Sequence, residues 1–123
     1  MEAVVLVVDD DPAIIGFVEM ALSDEGYRVE TASNGREALA EVEKDKPNVI
    51  LLDLTMPIMN GYEFYTELKK RINGSGQIPV VVMTAGQRAR EAATELGASG
   101  YLAKPFQLDD LIDCVEKQTH RTN

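Results

Sequence analysis

The chain alternates five times between a short, largely apolar run and a longer amphipathic stretch. Most of the apolar runs are continuous in Val, Leu and Ile, which is typical of strands buried on both faces of a sheet. The amphipathic stretches place apolar residues at the three- and four-residue spacing of a helix. Strict alternation of strands and helices predicts an α/β fold, in which helices cover both faces of a parallel sheet.

Turn and capping residues separate five predicted strands from five predicted helices. The strands are predicted at 3–8, 28–32, 48–52, 80–83 and 101–103. Pro12 suits the first turn of a helix whose N-cap is Asp11. Ser33 or Asn34 is expected to cap the next helix, and Gly97 to close the fourth.

Two segments are expected to be irregular. The sequence Asn-Gly-Ser-Gly at 73–76 indicates a loop, and the polar tail from about Thr119, with its lone His120, is expected to be solvated. We therefore expect one domain over 1–123, with its core between about residues 3 and 118.

Polar residues follow four of the five predicted strands. Asp9 and Asp10 come after the first strand, Asp53 after the third, Thr84 after the fourth and Lys104 after the fifth. Parallel strands end at one edge of the sheet, and doubly wound sheets bind their ligands beyond that edge. These five side chains are therefore expected to converge. Asp11 is already explained by its capping role and is not expected to be a ligand.

The expected cluster suits phosphoryl transfer with a divalent cation. Two carboxylates about 4 Å apart repel by roughly 4 kcal/mol at an effective dielectric constant near 20, so a cation is needed beside them. Mg²⁺ prefers such oxygen ligands, and an aspartate can attack phosphorus to form an aspartyl phosphate. Taken singly, each residue has a simpler explanation as a helix cap or a turn. Their joint position at one edge favours a functional site.

Composition excludes several other classes. The net charge of −9 argues against nucleic-acid binding by this chain, because no basic patch is available to replace phosphate counterions. Cys114 is the lone cysteine, so no disulfide framework is expected and the residue is expected to serve packing. No apolar run approaches the length of a membrane span. We expect a cytoplasmic protein without a membrane partner.

With these residues in place, the chain resembles the receiver domain of response regulators, the CheY-like module of two-component signalling. The resemblance covers residues 3 to about 118. It rests on four motifs: VVDDD at 7–11, LLDLTMPIMNG at 51–61, VVVMTA at 80–85 and GYLAKPF at 100–106. It implies a doubly wound, five-stranded parallel sheet of order 2-1-3-4-5, flavodoxin-like, with five helices.

The resemblance also implies roles for the acidic site and its lysine. Asp53 resembles the phosphoacceptor, and Lys104 the lysine that pairs with the phosphoryl oxygens. Asp10 resembles a direct Mg²⁺ ligand, together with Asp53 and the backbone carbonyl of Thr55, while Asp9 would act through a bound water.

The remaining matched residues resemble the parts that respond to phosphorylation. Thr84 resembles the switch hydroxyl and Tyr101 the aromatic residue that turns inward with it. Ala85 is small enough to leave room for the phosphoryl group. The Lys104–Pro105 bond is expected to be prone to the cis form.

The implied activity is that of a signalling switch and not of a metabolic enzyme. The phosphoryl group would come from a histidine kinase or phosphotransfer protein, and the Thr84/Tyr101 face would change its binding to a downstream protein or to a second copy. The domain would assist its own phosphorylation and dephosphorylation at Asp53. Thr55 and Gly86 carry no carboxylate or amide that could orient an attacking water, which predicts slow self-dephosphorylation.

A partner face is expected on the first helix. Ile14, Ile15 and Phe17, with Pro105 from the last loop, could dock a kinase helix. The helical pattern places Ile15 outward. The alternative is that Ile14 and Phe17 only border the core.

Three alternatives to a working receiver remain at this point. A phosphatase of the haloacid-dehalogenase type would need a D-x-D pattern after the first strand and a cap domain. A flavin-binding domain of the same topology would need phosphate-binding loops where this chain has acids. A receiver that has lost phosphorylation would act only as a binding module. The sequence names neither the kinase nor the target, and it leaves open whether this domain stands alone or belongs to a larger regulator.

Overall fold

The computed structural model describes residues 3–72, 78–85 and 87–119. The strands are β1 (Val4–Val8), β2 (Arg28–Ala32), β3 (Val49–Asp53), β4 (Val80–Ala85) and β5 (Gly100–Lys104). The helices are α1 (Pro12–Asp24), α2 (Gly35–Lys44), α3 (Gly61–Ile72), α4 (Arg88–Leu96) and α5 (Leu108–Thr119). All neighbouring strands pair in parallel, in the order β2-β1-β3-β4-β5. The predicted doubly wound sheet of order 2-1-3-4-5 is confirmed.

Alternating strand residues feed two apolar clusters, one on each face of the sheet. The first cluster joins the sheet to α2, α3 and α4 and includes Leu6, Ile50, Val82, Leu39, Phe64 and Ala92. The second joins it to α1 and α5 and includes Val7, Leu51, Met83, Leu22, Leu111 and Val115. Because β1 and β3 are buried along their whole length, the residues at their ends sit on a rigid base.

The predicted helix ends are largely confirmed. Asp11 accepts a hydrogen bond from the Ala13 amide at 2.9 Å and caps α1. Asn34, rather than Ser33, caps α2. Gly97 takes the left-handed conformation, with φ of 72°, just after α4.

The observed bounds differ from the predicted ones by a residue or so at several ends. Asp53 and Lys104 are the last residues of their strands instead of the first residues after them, and α5 continues through Thr119. The expected loop at 73–76, as well as Gly86 and His120, lies outside the described residues. Among the residues that are described, no helix combines the length and the hydrophobicity that crossing a bilayer requires.

Candidate functional site

The carboxyl ends of β1, β3 and β5 bring together an ion-paired group. The Nζ of Lys104 lies 2.7 Å from Oδ2 of Asp9 and 3.4 Å from Oδ1 of Asp53. Asp9 is 1% exposed and Asp53 is 5% exposed. Two buried carboxylates therefore share one ammonium group, and Asp9, Asp53 and Lys104 lie together at one edge of the sheet as expected. Burial of these charges is tolerated because the lysine and the backbone pair with them.

Asp10 adds an exposed carboxylate to the two buried ones. Asp9, Asp10 and Asp53 each offer an oxygen, and these oxygens all lie within 4.8 Å of one another. This set is all oxygen, and its spacing fits a hard divalent cation that keeps several waters, as Mg²⁺ does. The donor chemistry of the residues present therefore suits the ion.

Backbone groups hold two of these carboxylates in place. Oδ1 of Asp9 accepts a hydrogen bond from the Asp11 amide at 3.0 Å. Oδ1 of Asp53 lies 3.4 Å from the Thr55 amide. Such bonds limit the rotation of each carboxylate and keep its oxygens aimed at the shared site.

Burial and neighbouring charges shift the pKa values of two groups in the site, Asp53 and Lys104. Burial raises the pKa of Asp53, and the nearby charge of Asp9 raises it further, while Lys104 and the Thr55 amide lower it in part. Burial alone would lower the pKa of Lys104, but its hydrogen bond to Asp9 and the charges of both aspartates leave that pKa above its usual value. Lys104 therefore stays charged at neutral pH and serves as the internal counterion of the site.

Two glycines that the sequence analysis did not assign to the site turn out to shape it. A Cβ on Gly61 would lie 2.5 Å from the carbonyl oxygen of Asp53, and a Cβ on Gly35 would lie 2.7 Å from the backbone of Met59. Gly61 also donates a hydrogen bond from its amide to the Leu54 carbonyl at 3.2 Å. The loop after β3 can fold back over the strand end only because these side chains are absent. In the sequence, Pro57 and Gly61 indicate an irregular loop before the third helix, but they do not indicate this close approach.

Thr84 and Tyr101 lie on the adjoining strands. Thr84 follows Met83, which is the register partner of Asp53, so Thr84 lies at the same edge of the sheet as Asp53. Thr84 is half-buried. Tyr101 lies on the edge strand β5 and is 45% exposed.

The expected partner face is only partly exposed. Ile14 and Ile15 are half-buried and pack against the second apolar cluster. The outward placement expected for Ile15 is therefore wrong, because α1 lies against the sheet over a wider arc than its strict helical stripe. Phe17 and Pro105 are exposed, and the Phe17 ring lies 6.2 Å from that of Phe106. The Lys104–Pro105 bond is cis, as expected.

Cys114 packs against the second cluster, also as expected. Burial raises the pKa of its thiol to about 11, so the thiol stays protonated at neutral pH. The structure gives this cysteine a packing role.

Comparison with known families shows which family the chain belongs to. The family model of the response regulator receiver domain matches residues 5–116. The chain belongs to this family. Receiver domains are the phosphorylation-dependent switches of two-component signalling, and they bind Mg²⁺ at an acidic cluster such as the one described above.

Similar proteins support the assignment over nearly the whole receiver domain. The response regulator MprA of Mycolicibacterium vanbaalenii is 38% identical over 120 residues, which make up 96% of this chain and 51% of that protein. The receiver domain thus spans about half the length of the curated relatives that it matches.

Two solved structures show the same architecture. The chemotaxis response regulator CheY4 of Vibrio cholerae has a TM-score of 0.86 and 35% identity, covering 96% of this chain and 99% of that chain. The receiver domain of the sensor histidine kinase PA1611 from Pseudomonas aeruginosa has a TM-score of 0.86 and 30% identity, covering 98% of this chain and 99% of that chain. That structure has a magnesium ion coordinated in its active-site cleft.

Proposed function

We propose that this receiver domain accepts a phosphoryl group on Asp53 from a histidine kinase or a phosphotransfer protein. The observation that carries the proposal is the shared counterion. Lys104 bridges Asp9 and Asp53, and a third carboxylate, that of Asp10, lies beside them. A purely structural ion pair would not need a third, exposed carboxylate next to it.

The proposed reaction is a transfer between two proteins. A carboxylate oxygen of Asp53 attacks the phosphorus of the donor's phosphohistidine. The new O–P bond forms as the P–N bond breaks, and the donor imidazole leaves with the electrons of that bond and takes a proton from solvent. Lys104 lies 3.4 Å from Asp53 and can neutralise charge on the incoming phosphoryl oxygens.

Asp10 and Asp53 are the proposed direct ligands of Mg²⁺, with the Thr55 carbonyl, and Asp9 would hold the ion through water. A bound Mg²⁺ would supply further positive charge at the phosphoryl oxygens. The fit rests on the three carboxylate oxygens that lie within 4.8 Å of one another.

The proposed output runs through Thr84 and Tyr101. Phosphorylation adds nearly two negative charges at Asp53. A hydroxyl of Thr84 at the same edge can bond to the new oxygens, and the exposed Tyr101 ring would then turn inward. This change would alter binding to a downstream protein or to a second copy of the chain. The proposed donor contact is formed by the exposed residues Phe17 and Pro105 and by the exposed parts of Ile14 and Ile15.

The proposed function is tested by intact mass spectrometry after incubation with Mg²⁺ and acetyl phosphate. We expect one added phosphoryl mass on the wild-type chain and none on Asp53→Asn. Once the donor is removed, we expect the adduct to persist for longer than seconds, since Thr55 carries neither a carboxylate nor an amide that could orient an attacking water.

Asp11→Asn is the matched control for this experiment. It replaces a neighbouring aspartate that caps α1, and asparagine caps as well as aspartate. This variant should be phosphorylated like the wild type. Labelling of Asp53→Asn to the wild-type level would show that the acceptor lies elsewhere.

A further inference from the structure

The second helix begins with a glycine that the helix itself does not require. Gly35 is the first residue of α2 and is buried. The glycines with positive φ in the described part of the chain are Gly26 and Gly97, so the backbone conformation of residue 35 does not exclude alanine. Glycine is also a poor helix former compared with alanine. The reason for a glycine at this position therefore lies outside α2.

The loop after β3 supplies that reason. A Cβ on Gly35 would lie 2.7 Å from Cγ of Met59 and 2.7 Å from its carbonyl oxygen. The flexible Met59 side chain could turn away, but the carbonyl oxygen is held, because it accepts a hydrogen bond from the Gly35 amide at 2.9 Å. That amide is one of the donors at a helix start that have no partner within the helix. Even a methyl group at residue 35 would therefore push the loop backbone away from α2.

A short, internally bonded stretch of the loop connects Met59 to the site. The Met59 amide donates to the Pro57 carbonyl at 2.7 Å, which closes a turn centred on Ile58, whose φ is 68°. The turn and the proline ring leave this backbone little freedom to rotate. Pro57 lies two residues after Thr55, whose amide is 3.4 Å from Oδ1 of Asp53. A displacement of Met59 is thus passed along the loop to Thr55, whose carbonyl is a proposed ligand of Mg²⁺.

The turn that leads into α2, residues 32–35, also contacts the other segment that carries metal ligands. The Ala32 carbonyl accepts a hydrogen bond from the Asp9 amide, at the end of β1, at 3.1 Å. Three residues later, the Gly35 amide bonds to the loop that contains Thr55. The turn carries none of the proposed ligands, yet it is bonded to both backbone segments that do. It therefore sets the separation between them.

Capping contacts make this turn rigid enough to set a distance. Asn34 is 7% exposed, and its Oδ1 accepts a hydrogen bond from the Glu37 amide at 2.9 Å. Oε1 of Glu37 accepts in return from the Ser33 amide at 2.8 Å and from the Ser33 hydroxyl at 2.9 Å. Reciprocal bonds of this kind fix the direction in which the chain enters a helix. The position of the Gly35 amide follows from them.

We propose that Gly35 is a positioning residue that holds the loop after β3 at the distance from β1 that Mg²⁺ binding requires. Mg²⁺ tolerates little departure from octahedral geometry, so a shift of one ligand-bearing segment relative to the other weakens its binding. Gly35 does not touch the ion and acts through Met59 and the loop. This inference rests on the proposed Mg²⁺ ligands and adds a determinant of their affinity from an element that supplies none of them.

The first experiment measures Mg²⁺ binding by Gly35→Ala and, as the matched control, by Gly16→Ala. Both variants add one methyl group to a helix, but a Cβ at residue 16 would meet nothing within 4 Å. NMR titration of the backbone amides gives the dissociation constant, and thermal unfolding in EDTA shows whether each chain is folded. We expect a dissociation constant about tenfold higher in Gly35→Ala, a usual effect of disturbing the support of a metal ligand, and no change in Gly16→Ala.

Phosphorylation provides a separate measurement on the same variants. With acetyl phosphate as donor, the Mg²⁺ concentration that gives half-maximal labelling of Gly35→Ala should rise by the same factor as the dissociation constant. The labelling rate at saturating Mg²⁺ should match that of the wild type, because Gly35 acts on the binding of the ion and not on the transfer.

Hydrogen exchange tests the inference on the wild-type chain, so the test stands even if Gly35→Ala does not fold. It compares the amides of Gly35 and Glu37, which lie in the same helical turn. Movement of the loop exposes the Gly35 amide, whereas the Glu37 amide stays bonded to Asn34. Because coupling between two sites is reciprocal, Mg²⁺ should slow exchange at Gly35 more than at Glu37. At ten times the dissociation constant, a tenfold coupling predicts a difference of about fivefold.

Other outcomes overturn the inference in distinguishable ways. A folded Gly35→Ala chain with the wild-type dissociation constant would exclude the positioning role, and so would equal slowing at both amides. An equal loss of affinity in Gly16→Ala would show a general effect of helix substitutions. If the wild type does not bind Mg²⁺, the inference fails together with its ligand set. If it binds Mg²⁺ but is not labelled, the acceptor role of Asp53 fails, while the dissociation constants still decide the role of Gly35.

Discussion

At the scale of single residues, the repulsion between two buried carboxylates is offset by one lysine that pairs with both. Asp9 and Asp53 are buried side by side at 1% and 5% exposure, and Lys104 lies within ion-pair distance of both. Asp9 has the shorter contact, so Asp53 is the less fully compensated of the two. Its pKa is accordingly raised by burial first and by Asp9 second. The phosphoacceptor candidate is thus held at a cost to the stability of the fold.

This imbalance predicts that Asp53→Asn is more stable than the wild type at pH 7 without divalent cations. An aspartate whose pKa is raised by folding binds its proton more tightly in the folded state, so its contribution to stability is lost as pH rises through the folded pKa. Asparagine never ionises and avoids that loss. Thermal unfolding in EDTA at a series of pH values should show the gain at pH 7 and its disappearance below about pH 4, the usual aspartate range.

Asp11→Asn again provides the comparison, because it changes a charge of the same sign at an exposed cap and should show no matching gain. A destabilised Asp53→Asn chain would mean that its contact with Lys104 outweighs desolvation. A gain that does not vary with pH would have another origin.

At the scale of elements, α1 carries a glycine that the fold itself does not need. Gly16 lies in the middle of the helix, and a Cβ there would meet nothing within 4 Å. Gly26, just beyond the helix, also has open space around it, but its φ of 93° suits only glycine. Both positions have room for a side chain, but only Gly26 has a backbone conformation that requires glycine.

These two positions predict opposite effects of alanine. Gly16→Ala should increase the free energy of unfolding by about 1 kcal/mol, the difference in helix propensity between the two residues. Gly26→Ala should decrease it by roughly 1 kcal/mol, because alanine is strained at positive φ. Urea denaturation of both variants at one pH measures the two values. Changes of the same sign would contradict this account.

At the scale of the whole molecule, the chain carries an excess of negative charge, and part of that charge lies in the acidic cluster of the site. The chain has a net charge of −9, and three carboxylates gather at one end of the sheet. The sheet order makes this possible, since β1 and β3 are neighbours and β5 supplies the lysine from the edge. A cation that binds there links elements far apart in the chain and should stabilise all of them together.

Mg²⁺ is therefore expected to stabilise the folded domain against urea. At ten times its dissociation constant the ion should add about 1.4 kcal/mol to the free energy of unfolding. Titration calorimetry gives the constant, and urea curves with and without Mg²⁺ give the shift. The shift should be smaller in Asp10→Asn and unchanged in Asp11→Asn. Equal shifts in all three chains would place the ion outside the acidic cluster.

Much of this protein follows from local sequence patterns. Alternating apolar runs and amphipathic stretches determine a parallel α/β sheet, because each pattern suits one element and short connections leave few ways to combine them. Asp11 and Pro12 start α1 through contacts within a single turn. The convergence of Asp9, Asp53 and Lys104 at one edge also follows, since parallel strands end on the same side.

Other features depend on which distant segments meet, and only the tertiary structure decides them. Lys104 is shared between Asp9 and Asp53 because its long side chain reaches from the edge strand β5 past β4 to the ends of β3 and β1. Gly61 must be glycine because a strand end passes within 2.5 Å of where its Cβ would lie. Ile15 is half-buried because of how α1 lies on the sheet, and Ile58 is held at positive φ by a loop anchored to Gly35. Periodicity and capping act over a few residues, whereas these properties arise from close approaches between segments that are remote in the chain.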